Sequence, residues 1–312
     1  MHKPRPRIAV LGSINQDLVI RCGVLPRPGE TVLAVSSSEV SGGKGANQAV
    51  AAARLGGDVR MIGRVGDDLF GERLCQGLLA ENLDISLVWR TADCASGMAV
   101  VAVEDSGENS ILVVPGANGR VTAIDVANVA EFIGASDILL LQLEIPLPAV
   151  AAAIEIANRN GVRTILNPAP ASEQLPAEMF NVDLLCPNLA EAEVLIGQPI
   201  RSRQEALEAA RQLTRRGARE VVITLGNQGA VVSDGQQTEW FPPFMVQAQD
   251  TTAAGDAFAG ALAVRCGEGA TLREAVRFAS AAGAITVTRP GAQPALPTRN
   301  EVEAMLNSGK VE

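Results

Sequence analysis

Through most of the chain, short runs of apolar residues alternate with longer segments in which apolar residues recur every three or four positions. The short runs indicate buried strands, and the longer segments indicate amphipathic helices. This alternation predicts a parallel sheet that is covered by helices on both faces. Strands are predicted at residues 7–11, 59–62, 138–142, 164–167, 184–188 and 220–225, and helices near residues 49–55, 70–82, 123–133, 148–160, 203–216, 257–266, 272–287 and 299–307.

Four segments depart from this alternation. Residues 18–22 and 31–38 alternate in polarity and are separated by Pro and Gly, while residues 96–103 and 110–114 follow each other without a helix between them. Such segments predict a small antiparallel sheet, placed as a lid across the strand ends. The predicted fold class is therefore α/β: a three-layer α/β/α arrangement with a mostly parallel sheet and a small antiparallel β lid. Residues 1–312 are predicted to form a single domain, with the lid formed by insertions at about 15–40 and 96–115.

Composition and charge argue against some classes of partner and location for this protein. A chain of 312 residues that is 47% hydrophobic is long enough to bury a large core. Its formal net charge is −9 and its Lys and Arg residues are scattered. This argues against nucleic acid or an acidic membrane as a partner, because either would need clustered positive charge. The apolar run 8–11 is far shorter than a signal segment or a membrane span, so we expect a cytoplasmic protein.

The distribution of histidine and cysteine excludes several chemistries. The chain has one histidine, His2, close to the N-terminus, and five widely spaced cysteines without a Cys-x-x-Cys pair. A Ser-His-Asp triad, a Cys-His pair and a histidine-rich metal centre therefore have no candidate residues. The cysteine spacing also argues against a disulfide frame or a zinc site. If the protein is an enzyme, we expect its proton acceptor to be a carboxylate or a lysine.

The stretch Asp250-Thr-Thr-Ala-Ala-Gly-Asp256 leads into a long apolar run and predicts a loop at the start of a buried helix. Free N–H groups and the helix dipole favour an anion at such a position. Asp256 places an acid at the same point. This combination suits phosphoryl transfer, because the backbone can hold the transferring group while the carboxylate takes a proton. The alternative interpretation is that Asp256 is an ordinary acid in the first turn of a helix.

A second glycine-rich segment, Ser41-Gly-Gly-Lys-Gly-Ala-Asn-Gln48, also leads into a helix. Its glycines allow the backbone to approach a ligand closely. The segment is not a Walker A loop, because Gly45 stands where Ser or Thr is needed, and it is not a dinucleotide fingerprint, because Gln48 stands where the third glycine is needed. The alternative interpretation is a glycine-rich helix start with Lys44 in solvent.

Polar residues follow the carboxyl ends of several predicted strands. In an open parallel sheet these ends lie at one edge, where ligands bind. The sequence therefore predicts one cleft, although capping and turn formation would explain each residue taken singly. The residues are Asn15 and Asp17 in the loop 12–17, Glu144, Asn167, Asn188, Glu191 and Thr224.

These motifs carry a family resemblance. Over nearly its full length the chain resembles the ribokinase family of carbohydrate kinases, also called the PfkB family. The segment Gly42–Gln48 looks like the first family signature, Asp250–Asp256 looks like the second, and Asn188-Leu-Ala-Glu191 is similar to its Asn-x-x-Glu motif. The resemblance implies transfer of the γ-phosphate of ATP to the 5-hydroxyl of D-ribose, giving ribose 5-phosphate. It also implies Mg²⁺, activation by K⁺, and a homodimer formed through the lid.

The resemblance assigns a role to each matching position. Asp256 would be the general base, and Gly255, Ala254 and Ala253 would form the anion hole with their N–H groups. Glu191 would hold Mg²⁺ through water. Ser280 stands where some members place a histidine against the adenine, and Ala295 replaces a serine at the end of the cation loop. The sugar would bind to Asn15, Asp17, Gly43, Lys44, Asn47, Glu144 and Asp256; the nucleotide to Asn188, Thr224, Gly226, Asn227, Gly229, Gly255 and Ser280; and K⁺ to Asp250, Thr252, Thr286, Arg289 and Gly291.

Other functions remain open from the sequence. A kinase of the same family could act on a nucleoside, a ketohexose phosphate or a keto-deoxy sugar acid. Against a nucleoside stands the aromatic content of 3% without tyrosine, since nucleoside kinases stack the base on aromatic rings. A sugar-binding regulator without catalysis is possible on the same fold. An oxidoreductase of the Rossmann class lacks support, because the dinucleotide fingerprint is absent.

Overall fold

The computed structural model describes residues 4–104 and 109–308. The strands, in chain order, are β1 (Arg7–Leu11), β2 (Asn15–Cys22), β3 (Ala34–Gly42), β4 (Asp58–Gly66), β5 (Asp84–Thr91), β6 (Gly97–Glu104), β7 (Asn109–Val114), β8 (Ile138–Leu141), β9 (Arg163–Leu166), β10 (Leu184–Leu185), β11 (Glu220–Thr224), β12 (Ala230–Ser233) and β13 (Thr238–Phe241). The α-helices are α1 (Lys44–Arg54), α2 (Leu69–Ala80), α3 (Ala123–Asn128), α4 (Ala130–Gly134), α5 (Leu147–Asn160), α6 (Leu189–Ile196), α7 (Arg203–Arg215), α8 (Ala254–Gly267), α9 (Leu272–Thr286) and α10 (Arg299–Asn307).

In the described part of the chain, nine strands form the main sheet, in the order β13-β12-β11-β10-β9-β8-β1-β4-β5. The strands from β11 to β5 are parallel, and β12 and β13 add an antiparallel edge. The chain extends the sheet from β1 to β4 and β5 on one side, and later returns to β8 on the other. The strand order therefore reverses between β1 and β8, and ligands of open α/β sheets bind at such a reversal, beyond the carboxyl ends of the strands.

Each face of the main sheet carries its own hydrophobic core. Val10 of β1 belongs to the core that includes α1, α8 and α9, whereas its neighbour Leu11 belongs to the core that includes α3, α5 and α7. Both side chains are fully buried. The predicted three-layer arrangement is therefore confirmed. Helix α8 is buried almost all round, as its uniformly apolar sequence predicts.

The small sheet has the order β3-β2-β6-β7. Its outer pairs are antiparallel, but β2 and β6 in the centre are parallel, from Asn15 opposite Gly97 to Cys22 opposite Glu104. The predicted small antiparallel sheet is confirmed for its two outer pairs, but antiparallel pairing was wrong for the central pair. The physical reason lies in the main sheet: β2 follows β1 and β6 follows β5, so both strands leave from carboxyl ends at the same edge and run the same way.

Several boundaries also differ from the prediction. Asn15 and Asp17 lie on β2 rather than in a loop, α8 begins at Ala254 rather than residue 257, and the predicted helix 123–133 is divided at Val129 into α3 and α4. Strand β5 and helix α6 were not predicted. Strand β5 lies at the sheet edge and is only partly buried, so polar residues interrupt its apolar pattern. Within residues 4–104 and 109–308, the structure has no helix of the length and apolarity that crossing a bilayer requires.

Candidate active site

Asp256 lies in the first turn of α8 and is only 7% exposed. Its two carboxylate oxygens accept hydrogen bonds from α1: Oδ2 from Asn47 Nδ2 and Oδ1 from Gln48 Nε2, both at 3.0 Å. These contacts join the two glycine-rich segments, which are about 200 residues apart in the sequence. A solvent-facing helix acid would make neither contact, so Asp256 is more than a first-turn acid.

The surroundings of Asp256 favour a proton acceptor. Burial raises the pKa of its carboxyl above the ordinary value, and the negative charge of Glu144 acts in the same direction. The positive charge of Lys44 and the amides of Asn47 and Gln48 oppose this effect but do not cancel it. A carboxylate whose pKa is raised has a higher affinity for protons than an ordinary one, which suits general base catalysis.

Lys44 is the first residue of α1 and lines a cavity together with Asp256. Burial lowers the pKa of the Lys44 ammonium, but the carboxylates around it, on Asp256, Glu144, Glu191 and Asp17, outweigh burial and the pKa is raised. The ammonium is therefore charged and faces the site. The interpretation that placed Lys44 in solvent is wrong.

Glycines in the Gly42–Gln48 segment permit close approach to the strand end of β1 and to β2. Gly43 has φ 88°, and a Cβ atom there would lie 2.7 Å from the backbone nitrogen of Asn15. At Gly42 a Cβ atom would lie 2.0 Å from Oδ2 of Asp17. Both distances are far below a possible contact. A larger residue at Gly43 would push the start of α1 away from the backbone of β2, and one at Gly42 would displace the carboxylate of Asp17.

Two residues outside the predicted set hold predicted ones in place. Ser13 Oγ donates a hydrogen bond to Oε2 of Glu144 at 2.5 Å, and the backbone N–H of Lys44 donates to the same oxygen at 3.1 Å. Asn118 Nδ2 donates to Oδ1 of Asn15 at 2.7 Å. Ser13 and Asn118 are both buried. Ser13 could have been identified from the sequence, because it is a polar residue two positions beyond the end of β1. Nothing in the sequence relates Asn118 to Asn15.

Three buried acceptors have no hydrogen-bond partner among the described residues: Oε1 of Gln142, which is outside the predicted site, and Oδ1 of Asp17 and Oδ1 of Asn47, which belong to predicted sugar-binding residues. Buried polar atoms in native proteins are almost always paired, by protein, water or ligand. Burial raises the pKa of Asp17 to about 7, and the charges of Glu144 and Asp256 add to this effect. The atoms of Asp17 and Asn47 are free to accept from the hydroxyls of a ligand.

Two cavities meet at the start of α8. The smaller has a volume of about 190 Å³ and is lined by polar and charged groups, including Lys44, Glu191 and Asp256. The larger has a volume of about 340 Å³ and mostly apolar walls. Gly255 lines both, and a Cβ atom there would meet nothing within 4 Å among the described residues. The glycine therefore keeps the junction open.

The residues predicted for the nucleotide are divided between these cavities. Thr224 lines both, Asn188 lines only the smaller one, and the remaining residues line the larger one. A groove of about 860 Å³ beside α5 is larger still, but its lining includes none of the predicted site residues. The predicted residues on the larger cavity are Gly226, Asn227, Gly229 and Ser280, with Gly255 at the junction.

Asn188 and Glu191 form a reciprocal cap at the start of α6. Asn188 Oδ1 accepts from the backbone N–H of Glu191 at 2.8 Å, and Glu191 accepts from the backbone and side chain of Asn188, both at 2.9 Å. Burial raises the pKa of Glu191. The Asn-x-x-Glu motif is thus a helix cap as well as part of the cavity lining. Within the described ranges, no group of three or more His, Cys, Asp or Glu side chains is arranged around a metal ion.

Three of the residues predicted for K⁺ meet directly. Asp250 Oδ1 accepts from the backbone N–H and Oγ1 of Thr252, at 2.9 and 2.6 Å, and Asp250 Oδ2 accepts from the N–H of Gly291 at 2.8 Å. The other two lie differently. The side chain of Thr286 is bonded within α9, and the guanidinium of Arg289 pairs with Glu301 of α10.

The fold and the site define an α/β phosphotransferase: a helix start with an open glycine, a buried carboxylate beside it, and a charged and an apolar cavity on either side. The family model described as "pfkB family carbohydrate kinase" matches residues 5–299, and the chain belongs to this family. The family resemblance of the motifs is thereby confirmed.

Individual relatives show the same likeness. The chain is 42% identical to a ribokinase of Haemophilus influenzae, over 97% of this chain and 99% of the relative. It is 36% identical to a deoxyribokinase of Salmonella typhi, over 96% of this chain and 98% of the relative. The structure of Arabidopsis thaliana ribokinase complexed with ribose and ATP is 32% identical, with a TM-score of 0.90, covering 97% of this chain and 99% of the other.

Proposed function

We propose that this protein is a ribokinase, which transfers the γ-phosphoryl group of ATP to the 5-hydroxyl of D-ribose and releases ribose 5-phosphate and ADP. The observation that carries the proposal is the position of Asp256. Its buried carboxylate lies at the open glycine where the charged and apolar cavities meet, and amides of the Gly42–Gln48 segment hold it. The full-length similarity to ribokinases supports the choice of substrate.

The reaction needs a base and a place for developing negative charge. Asp256 takes the proton from the attacking hydroxyl as the new O–P bond forms and the bond to ADP breaks. The N–H groups of Gly255 and Ala253, at the start of α8, stabilise the phosphoryl oxygens, because the first N–H groups of a helix have no intrahelical partner and carry partial positive charge. The N–H of Ala254, also predicted for this anion hole, donates to the carbonyl of Thr251 at 3.3 Å.

The acceptor sugar is held by amides, carboxylates and a lysine, which can each pair with neighbouring hydroxyls. The unpaired acceptor atoms of Asp17 and Asn47 receive sugar hydroxyls, while Ser13 and Asn118 keep their neighbours in orientation. The proposed sugar-binding residues are Asn15, Asp17, Gly43, Lys44, Asn47, Glu144 and Asp256.

The nucleotide occupies the larger cavity, with its phosphates directed to Gly255. The apolar walls suit an adenine ring, and Ser280 lies on α9 at this wall. Thr224 lines both cavities and would contact the phosphates. The proposed nucleotide-binding residues are Asn188, Thr224, Gly226, Asn227, Gly229, Gly255 and Ser280.

Mg²⁺ fits the smaller cavity, where it would lie beside the phosphates of the nucleotide. Mg²⁺ keeps several waters and takes few protein ligands when it binds with a nucleotide, and the single carboxylate of Glu191 beside Asn188 suits such a site. Glu191 would hold the ion through water. Bound Mg²⁺ supplies positive charge that offsets the phosphate oxygens.

K⁺ fits the loop that Asp250 organises. Burial raises the pKa of Asp250, but the hydrogen bonds from Thr252 and Gly291 outweigh it and lower the pKa, so a carboxylate charge is present in this loop. Because the guanidinium of Arg289 is held by Glu301, Arg289 would contribute only its main chain, as would Thr286. A cation there would fix the loop that leads to Ala253. The rate of ADP release in K⁺ should exceed that in a large organic cation; equal rates would count against this site.

We further propose one α/β domain with its β lid, a cytoplasmic location, and a homodimer formed through the lid. On the edge strand β7, apolar side chains are about half exposed or more, as at Ile111, Leu112 and Val114, with 55, 71 and 56%. Such a patch on an edge strand fits a partner copy. Mass measured in solution tests this: a dimer that Leu112→Lys converts to monomer is expected, and a parent monomer would contradict it.

A panel of acceptors tests the substrate. ADP release should give the highest kcat/KM for D-ribose, with 2-deoxy-D-ribose as the second candidate because of the deoxyribokinase relative. A nucleoside, a ketohexose phosphate and a keto-deoxy sugar acid should be poor acceptors. Preference for one of these would replace ribose, and ribose binding by calorimetry without any ADP release would instead indicate a regulator.

A further inference from the structure

A chain of buried amides lies behind Asp256. Gln48 is 0% exposed and uses all its polar atoms: Nε2 donates to Oδ1 of Asp256 and to Oδ1 of Asn167, each at 3.0 Å, and Oε1 accepts from Nε2 of Gln142 at 2.6 Å. Gln142 is also 0% exposed. The reaction described above gives no role to Asn167 or Gln142, and none to Gln48 beyond its contact with Asp256.

The direction of this chain is fixed from its far end. Nδ2 of Asn167 donates to the backbone carbonyl of Cys186 at 2.9 Å, and a carbonyl can only accept. Asn167 must therefore present Oδ1 to Gln48, and Gln48 must present its NH₂ group. A reversed Gln48 would place Oε1 against the oxygens of both Asp256 and Asn167. The donor that faces Asp256 is thus set by a main-chain carbonyl of the sheet.

Asn47, the other donor to Asp256, is held less firmly. Its Oδ1 has no hydrogen-bond partner among the described residues, so its amide is free to turn toward a ligand. Gln48 has no such freedom, because a turn would break three hydrogen bonds. The two donors therefore differ in kind: Asn47 can exchange partners with the sugar, and Gln48 stays with the carboxylate.

We propose that Gln48 is a positioning residue: its amide holds the carboxylate of Asp256 ionised and in the orientation that receives the hydroxyl proton, while Asn167 fixes the direction of that amide. The inference rests on the proposed function, because that function supplies the hydroxyl proton that Asp256 accepts. A charge-assisted hydrogen bond to a buried carboxylate stabilises the ionised form, because only that form accepts on both oxygens.

Four charged groups surround Asp256 from the elements packed around it: Lys44 on α1, Asp17 on β2, Glu144 after β8 and Glu191 on α6. Of these, Lys44 alone favours the ionised carboxylate. Loss of the Gln48 donor would leave these charges in place and remove one of the groups that oppose burial. The expected result is a higher pKa for Asp256.

The test compares Gln48→Met with Gln142→Met, a matched change at a neighbouring buried glutamine that contacts Gln48 but makes no hydrogen bond to Asp256. Carbon-13 NMR titration of the aspartate carboxyls in the unliganded protein, assigned with Asp256→Asn, reads the pKa directly. In Gln48→Met this pKa should rise by about one unit or more, and the acidic limb of kcat against pH should move with it. In Gln142→Met both should stay where they are.

An unchanged Asp256 pKa in Gln48→Met, with kcat lowered equally at every pH, would mean that Gln48 only packs the helix and would overturn the inference. If Gln48→Met does not fold, Gln48→Asn removes the same contact by shortening the side chain and keeps the test available. The titration needs no substrate. If the parent protein does not phosphorylate ribose but its Asp256 pKa depends on Gln48, the proposed function is refuted and this inference still holds.

Discussion

The two cavities that meet at Gly255 differ in what lines them. The smaller one presents charged groups, among them Lys44, Glu191 and Asp256, whereas the larger one is mainly apolar, with Phe258 in its wall. Charge and hydrogen bonding act on a transition state that develops charge, but an apolar wall binds substrate and transition state equally. Changes in the smaller cavity should therefore lower kcat, and changes in the larger cavity should raise the KM for ATP.

The largest effect is expected from Asp256→Asn. Removal of a general base lowers kcat by ~10²–10⁴-fold. The neutral amide avoids the cost of burying a charge, but its NH₂ group would face one of the two amide donors, Asn47 or Gln48, so Tm should change little. Steady-state ADP release and thermal melting measure the two quantities.

A variant with nearly normal kcat would remove Asp256 from the mechanism. A variant with low kcat and a much lower Tm would point to misfolding rather than lost catalysis, so the melting curve is the necessary control.

The next effect concerns the junction itself. In Gly255→Val the side chain enters the space between the cavities, where the phosphoryl group passes, and a displacement of about 1 Å at the reacting atoms costs ~10² in rate. The matched control is Gly77→Val in α2, another helical glycine with room for a Cβ atom. Only Gly255→Val should lower kcat, and equal losses in both variants would show a general helix effect.

Asp17 should make ribose binding depend on pH. Its pKa, raised to about 7 mainly by burial, means that the carboxylate forms as pH rises through about 7. A carboxylate accepts sugar hydroxyls more strongly than the neutral acid, so the affinity for ribose should rise by about 10-fold between about pH 6 and about pH 8. Calorimetry measures it, and Asp17→Asn should abolish the dependence.

The same shift has a consequence for stability. Because the folded pKa of Asp17 lies above the ordinary value of 3.8, its contribution to stability is complete below about 3.8 and is lost as pH rises to about 7. Asp17→Asn should therefore have a higher Tm than the parent above pH 7, and this advantage should shrink on acidification. An advantage that grows on acidification would contradict the account.

The smallest effect is expected in the apolar cavity. Ser280→Ala removes one hydroxyl from its wall, so the KM for ATP should rise by about two- to five-fold, as for one neutral hydrogen bond. The KM for ribose and kcat should stay unchanged. A fall in kcat without a change in the KM for ATP would break the division between the two cavities.

The sequence predicted the main architecture because local patterns carry it. The bounds of β1 and α10 agree with the predicted bounds residue by residue. The parallel pairing of β2 with β6 could not be predicted in this way, since it depends on which edge of the main sheet both strands leave. Pattern predicts elements, whereas pairing is a property of the assembled sheet.

The site shows the same division. The motifs indicated Asp256 and the glycine-rich segments, because their residue types and positions fit a phosphate and a base. They did not indicate Asn118, which reaches Asn15 across the fold, or the role of Gln48. For Gln142 the sequence offered one signal, because it is a polar residue at the end of the predicted apolar strand 138–142. In the structure this residue is fully buried.

The central claim is that a hydroxyl on carbon 5 of ribose loses its proton to Asp256 and receives the phosphoryl group. D-ribose labelled with carbon-13 at carbon 5 tests it directly, by the carbon–phosphorus coupling of the product after incubation with ATP. The account predicts coupling at the labelled carbon with the parent protein, formed more slowly by ~10²-fold or more with Asp256→Asn. Product without this coupling, or equal rates of its appearance in both proteins, would contradict it.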